Sequence, residues 1–209
     1  MTAYGTTHGA LKPVAEVSCA DPRFRSMVVE NEKGIRSFDL ADLHRRLSDS
    51  LLNATVPPDV KTSFETARNL LLYTWFVYEF QTVAELQAYG TLELALRLRR
   101  GRRADEKRLS SLSKLLDEAI AAGWFDAAEP ICHARMIRYQ GWYRQFFSTT
   151  STASPLPSKE WFRRVVAAVP DQRNHIAHGN PKLYLSGAFE CLEFCATLIN
   201  SLFPSMDAE

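Results

Sequence analysis

Apolar residues in this chain recur at intervals of three and four, which is the spacing of one face of an α-helix. Leu40, Leu43, Leu47 and Leu51 form the first such stripe, and the stretch 59–100 is apolar on more than one side. We find no alternating apolar pattern of useful length, as a half-buried strand would show. The pattern therefore predicts an all-α bundle in which residues 59–100 supply a long central helix.

Prolines, glycines and small polar residues divide the chain into elements. Pro57-Pro58 is expected to end the first helix, and Gly90 to bend or break the long one. Ser158 is expected to cap a helix that Pro170 ends, and Gly123 to cap the end of another. The remaining helices are expected over 109–120, 129–147 and 182–203, with a loop over 148–158. Residues 1–35 show no clear period and are expected to form an irregular arm before a helical domain of residues 36–209.

Charge and composition limit the classes of function. The chain has 25 Lys and Arg against 24 Asp and Glu, so any RNA contact is expected in a local cleft rather than over a whole face. The longest apolar stretch, near Leu70–Phe80, is shorter than the ~20 residues of a membrane span. The start of the chain lacks the pattern of a signal peptide, and no two of the four cysteines form a CxxC pair. We expect a cytoplasmic protein with no membrane partner.

The segment PDQRNHIAHGNP contains several polar side chains that can take part in chemistry and that packing does not require. Arg173, Asn174, His175 and His178 lie within six residues, between two apolar helices. Histidine can exchange protons near neutral pH, and the guanidinium fork of arginine binds phosphate. On an ideal helix Asn174 and His178 share a face, whereas Arg173 and His178 are ~140° apart. Arg173 and His178 are therefore expected to converge only through an irregular backbone, a reaching side chain or a second subunit.

The pattern Arg173-Asn174-x-x-x-His178 followed by Gly179 resembles the signature of the HEPN superfamily, helical domains of prokaryotic toxins, antiviral systems and some eukaryotic RNA-processing enzymes. The stretch TLELALRLRR is similar to the family's earlier helix, with Glu93 before Arg99 or Arg100. The resemblance implies a HEPN-like homodimer that cleaves RNA by 2′-OH attack, without a metal or cofactor, and an antitoxin or effector-complex partner. Where some toxin members carry a tyrosine, this chain has Asn180, so neutralisation by nucleotidylation is not supported.

Each candidate residue also has a structural interpretation. Arg173 and His178 can cap a turn and fill a tight corner, His175 can lie on a cleft rim, and Asn174 can orient the site or cap a turn. Glu93 can hold Arg173, or it can pair with Arg97 one turn later. The basic run can grip an RNA backbone or simply suit a helix C-terminus; its members are Arg97, Arg99, Arg100, Arg102 and Arg103.

Two further interpretations of the sequence concern the cysteines and the function. Cys191 and Cys195, like the Cys132-His133 pair, are expected to be buried packing residues rather than metal ligands. Two alternatives to an endoribonuclease remain open. One is a non-catalytic HEPN-like dimer that binds a protein or nucleotide, and the other is a structural helical partner in a larger assembly, which docks through the broad apolar face of its C-terminal helix.

Overall fold

The structure is a computed structural model and describes residues 11–32, 34–101, 110–147, 157–179 and 185–205. Within these ranges seven α-helices form the bulk of the protein, so the all-α prediction is confirmed. The helices are α1 Leu40–Ser48, α2 Pro58–Tyr73, α3 Phe80–Arg100, α4 Leu112–Ala121, α5 Ala128–Phe147, α6 Ser158–Ala177 and α7 Leu185–Leu202. The predicted loop over 148–158 and the residues Arg102, Arg103 and Asn180 lie largely or wholly outside the described ranges.

The predicted long helix is two helices, because residues 74–79 form a turn between α2 and α3. The turn is held by an earlier segment: the Asp21 amide donates to the Trp75 carbonyl at 2.7 Å, and the Tyr78 amide reaches the Asp21 carboxylate at 3.4 Å. The ring of Phe24, which is 2% exposed, packs 4.8 Å from that of Trp75. Gly90 does not break α3, which continues through it to Arg100.

Helix α3 is nevertheless central, as predicted, since α2, α4, α6 and α7 all pack against it. The shared core is built from the apolar faces of these helices, and its fully buried members include Phe64, Leu92, Leu115, Phe189 and Ile199. Burial of such side chains is the main driving force for folding.

Helix α7 is covered by the chain itself. Its residues Leu192, Cys195, Leu198 and Leu202 are at most 1% exposed and face α3 and α5. The interpretation of the C-terminal helix as a docking surface is therefore wrong. Cys191 and Cys132 are also buried with free thiols, as expected for packing residues.

A short hairpin was not predicted. Strands β1 Val28–Asn31 and β2 Gly34–Ser37 pair antiparallel, with Val28 opposite Ser37 and Glu30 opposite Ile35. Exposure alternates along the strands, but the apolar Val28 and Ile35 are exposed while the charged Arg36 is half-buried, so the sequence lacks the apolar–polar alternation by which a strand is recognised. After it, Asp39 and Asp42 form a reciprocal capping box that starts α1.

Pro170 does not end α6, which continues to Ala177. The prediction failed because Phe162, Val166 and Val169 before the proline are buried, and Ile176 beyond it also packs against the core. This packing offsets the backbone hydrogen bond that proline cannot donate. Ser158 does not cap α6 either: its hydroxyl donates to Glu129 of α5, and Pro157 precedes the first turn.

Replacing Pro170 with alanine should stabilise the fold by about 1–3 kcal/mol, because it restores a donor within an established helix and removes the ring's clash. Urea denaturation should show a higher midpoint. Gln172→Ala, an exposed change on the next turn, serves as the control and should alter stability by less than about 0.5 kcal/mol. A lower midpoint for Pro170→Ala would contradict this account of α6.

Candidate functional site

The motif residues form the last two turns of α6 rather than a separate short piece. Asn174, His175 and His178 are exposed and Arg173 is half-buried. The His178 amide donates to the Asn174 carbonyl at 2.9 Å and the Gly179 amide to the Ile176 carbonyl at 3.1 Å. Gly179 has a φ of 77°, the left-handed conformation in which glycine commonly follows a helix. The polar side chains are thus displayed on a hydrogen-bonded, solvent-exposed helix end.

Two of these side chains are oriented by contacts within the helix. An Arg173 Nη1 donates to the Asn174 Oδ1 at 3.2 Å, so Asn174 orients the guanidinium. The His175 Nδ1 lies 2.9 Å from the Asp171 carbonyl oxygen, which only a protonated nitrogen can satisfy. A neutral His175 ring therefore carries its hydrogen on Nδ1 and keeps the Nε2 lone pair, the arrangement that suits a proton acceptor. Because the acceptor is a backbone carbonyl, any residue four positions before His175 in the helix would provide it, and the identity of Asp171 gave no sequence signal for this contact.

Arg173 and His178 do not share a face of α6. They are five positions apart on a helix whose hydrogen bonding continues to the His178 amide, which separates their directions by ~140°. Of the predicted pairings, regular helix geometry brings only Asn174 and His178 together. The backbone at the end of α6 is thus regular, which leaves a reaching Arg173 side chain or a second copy of the chain as the ways in which both groups could meet one phosphate.

The candidate residues on α3 are engaged with one another and with α4. Glu93 forms an ion pair with Arg97, which is the second of the two interpretations of Glu93. Arg100, whose side chain is 7% exposed, donates to the Ser110 hydroxyl at 2.7 Å and lies 3.7 Å from Glu118. These contacts fit a structural role for Glu93, Arg97 and Arg100. Arg99 is exposed, with its guanidinium 5.9 Å from the centre of the Trp124 ring.

Among these α3 residues, Arg99 lies near the first part of α6 and not near the motif. Trp124, near Arg99, lies in the α4–α5 connection, and the adjoining Phe125 shares a recess of about 60 Å³ with Lys159 and Phe162 in the first turn of α6. Arg173 lies 14 positions beyond Lys159 and 11 beyond Phe162 on α6, about 16–21 Å along the helix axis at 1.5 Å per residue. Any RNA contact of Arg99 would therefore be remote from Arg173 of the same chain.

Comparisons of this chain with models of protein families, with curated proteins and with solved structures find no match. The resemblance to the HEPN superfamily therefore depends on the residues Arg173–His178 and on their place at the end of a helix in an α-helical bundle. No helix in the described part of the chain is both long enough and apolar enough to cross a lipid bilayer.

Proposed function

We propose that this protein is a HEPN-type endoribonuclease that acts in the cytoplasm as a homodimer, in the manner of a toxin or antiviral effector. The observation that carries the proposal is the exposed end of α6, where an arginine oriented by Asn174 and two histidines are presented together. These are the residue types needed to move a proton and to bind a charged phosphate. A partner such as an antitoxin would then control access to this end of α6.

The proposed reaction is attack of a ribose 2′-OH on the adjacent phosphorus. As the 2′-O–P bond forms and the P–O5′ bond breaks, His178 and His175 divide the two proton transfers. One removes the 2′ proton, and the other, in its protonated form, gives a proton to the leaving 5′ oxygen, while Arg173 binds the non-bridging oxygens as negative charge builds up. The products are a 2′,3′-cyclic phosphate and a 5′-OH, and no step uses a metal. His175, with its Nε2 available, lies on the same turn as Asn174 and is the second group that can accept a proton.

The directions of the two side chains support the proposed dimer. Because Arg173 and His178 of one helix diverge by ~140°, a two-fold axis near the end of α6 would place the arginine of one copy opposite the histidine of the other. Such an interface has equal surfaces on both copies and forms two equivalent sites.

Cleavage of single-stranded RNA in the presence of EDTA tests this function. We expect Arg173→Ala and His178→Ala each to reduce the rate by at least about 100-fold, the usual contribution of a positioned acid–base or charge-stabilising group. Arg164→Ala is the matched control, because Arg164 is an exposed arginine of the same helix paired with Glu160. Cleavage that survives both changes, or that needs a divalent cation, would contradict the proposal.

The alternative is a non-catalytic HEPN-like dimer that binds a protein or a nucleotide. It is favoured by the engagement of Arg97 and Arg100 within the chain, which reduces the cationic surface left for RNA. A stable dimer that binds its ligand but leaves RNA intact would identify this alternative.

A further inference from the structure

Helices α1, α5 and α7 bring two arginines around one glutamate. The Arg46 Nε of α1 lies 3.8 Å from Glu193 Oε1, and the Arg135 Nη1 of α5 lies 3.8 Å from Glu193 Oε2. Both separations are longer than an N–H···O hydrogen bond. Glu193 therefore attracts both guanidinium groups without occupying their donors.

Each guanidinium is positioned by a different contact. Arg46 lies over the Phe189 ring, 4.0 Å from its centre, and Arg135 donates to the Thr197 hydroxyl at 3.2 Å. The arginine side chains are 45% and 42% exposed. A guanidinium has five N–H donors, and within the described part of the chain the bond to Thr197 is the one hydrogen bond that these two groups make. Part of each guanidinium is therefore open to solvent, while Phe189 and Thr197 hold it in place.

The charges of this cluster suit an anion that is larger than a carboxylate. Glu193 reduces the repulsion between two cations, and the trio keeps a net positive charge. The guanidinium of Arg46 is held by an aromatic ring and that of Arg135 by a hydroxyl. Planar guanidinium groups held in this way are preorganised to bind the oxygens of a phosphate. Glu190 borders the cluster, where burial raises the pKa of its carboxyl, Arg46 lowers it and Glu193 raises it. An ionised Glu190 would oppose a bound anion.

We propose that Arg46 and Arg135 form a clamp for the phosphodiester backbone of the RNA strand, an inference that rests on the proposed ribonuclease function. Phe189, Glu193 and Thr197 follow one another at intervals of one turn on α7, whose first residue, Leu185, comes soon after His178. Helix α5, which carries Arg135, packs against both α6 and α7. One helix of the clamp, α5, is therefore also a packing neighbour of the helix that bears the motif.

RNA binding by the full chain with His178→Ala, which leaves the oligonucleotide uncut, tests the clamp. Fluorescence anisotropy of a labelled single-stranded RNA gives Kd over a range of KCl concentrations. Each phosphate contact to a single strand adds about 0.7 to the salt slope, or about fourfold in Kd at 0.15 M salt. We expect Arg46→Gln and Arg135→Gln each to cause that loss, while Arg164→Gln changes neither value.

A variant that is expected to strengthen RNA binding excludes misfolding as the reason for weaker binding in the arginine variants. Glu190→Gln removes a neighbouring negative charge without shortening the side chain, and we expect it to tighten RNA binding and to raise the salt slope. If the RNA affinity and the salt slope are unchanged in both arginine variants, the clamp proposal is wrong. This holds even if the wild type cleaves RNA and the nuclease proposal is correct. Loss of binding in these variants, with no cleavage by the wild type, supports the clamp and overturns the nuclease. A protein that binds no RNA at low salt overturns both.

Discussion

Co-expression of the Arg173→Ala and His178→Ala chains should restore about a quarter of wild-type RNA cleavage, although each variant alone is inactive. Random pairing makes half of the dimers mixed. A mixed dimer has two sites, of which one has lost both its arginine and its histidine and the other has kept both. The expected recovery follows directly from the divergence of the two side chains on α6.

The measurement is the initial rate of cleavage in EDTA per mole of total dimer, with the two chains carrying different tags so that the mixed species is purified directly. The purified mixed dimer should then show about half the wild-type rate. Each variant paired with itself is the control. Absence of any recovery in a verified mixed dimer would contradict a site shared between copies.

Glu85 should make the protein less stable as the pH rises from about 5 to about 8. Burial raises the pKa of this half-buried carboxyl of α3 from 4.5 to about 7, so the folded protein holds its proton more tightly than the unfolded chain. The stabilisation from the protonated form is complete below pH 4.5 and is lost as the pH passes 7. We expect the loss to be about 2 kcal/mol, less than the full shift because the side chain keeps part of its hydration.

The comparison that isolates this effect is urea denaturation of the wild type and Glu85→Gln at pH 5 and pH 8. The variant should be more stable than the wild type at pH 8 and similar to it at pH 5, because the amide does not ionise. Glu160→Gln, at an exposed ion pair of α6, should not change the pH dependence. If the free energy of unfolding depends on pH equally in the wild type and in Glu85→Gln, ionisation of the Glu85 carboxyl does not destabilise the folded protein, and the prediction is wrong.

A second polar side chain, one turn before Glu85 in α3, also lowers the stability of the fold. Gln81 is fully buried, and within the described ranges neither its Nε2 nor its Oε1 has a hydrogen-bond partner. Burying an amide without partners is unfavourable by roughly 1–3 kcal/mol. The first two turns of α3 are thus built with polar groups at positions where an apolar residue would stabilise the fold.

Local patterns predicted most of the helices. Three of the four leucines in the stripe from Leu40 lie in α1, but the helix ends at Ser48, so Leu51 is outside it and exposed, and Pro57-Pro58 begins α2 instead of ending α1. Gly123, with its φ of 70°, follows the end of α4 as expected. The patterns failed where distant residues act on the backbone. The turn over 74–79 depends on Asp21, and the continuation of α6 beyond Pro170 depends on the burial of side chains on both sides of it.

Sequence alone determined that this protein is helical and where its polar chemistry is concentrated, because helical periodicity and the composition of a short segment are local properties. Only the tertiary structure decided the directions of Arg173 and His178, the pairing of Glu93 with Arg97, and the meeting of Arg46, Arg135 and Glu193. The last three residues are far apart in the chain. They come together because α5 packs against α7, while α1, which packs against α2, places the Arg46 side chain beside Phe189 and Glu193. Contacts of this kind follow from how whole helices bury their faces, which no short stretch of sequence records.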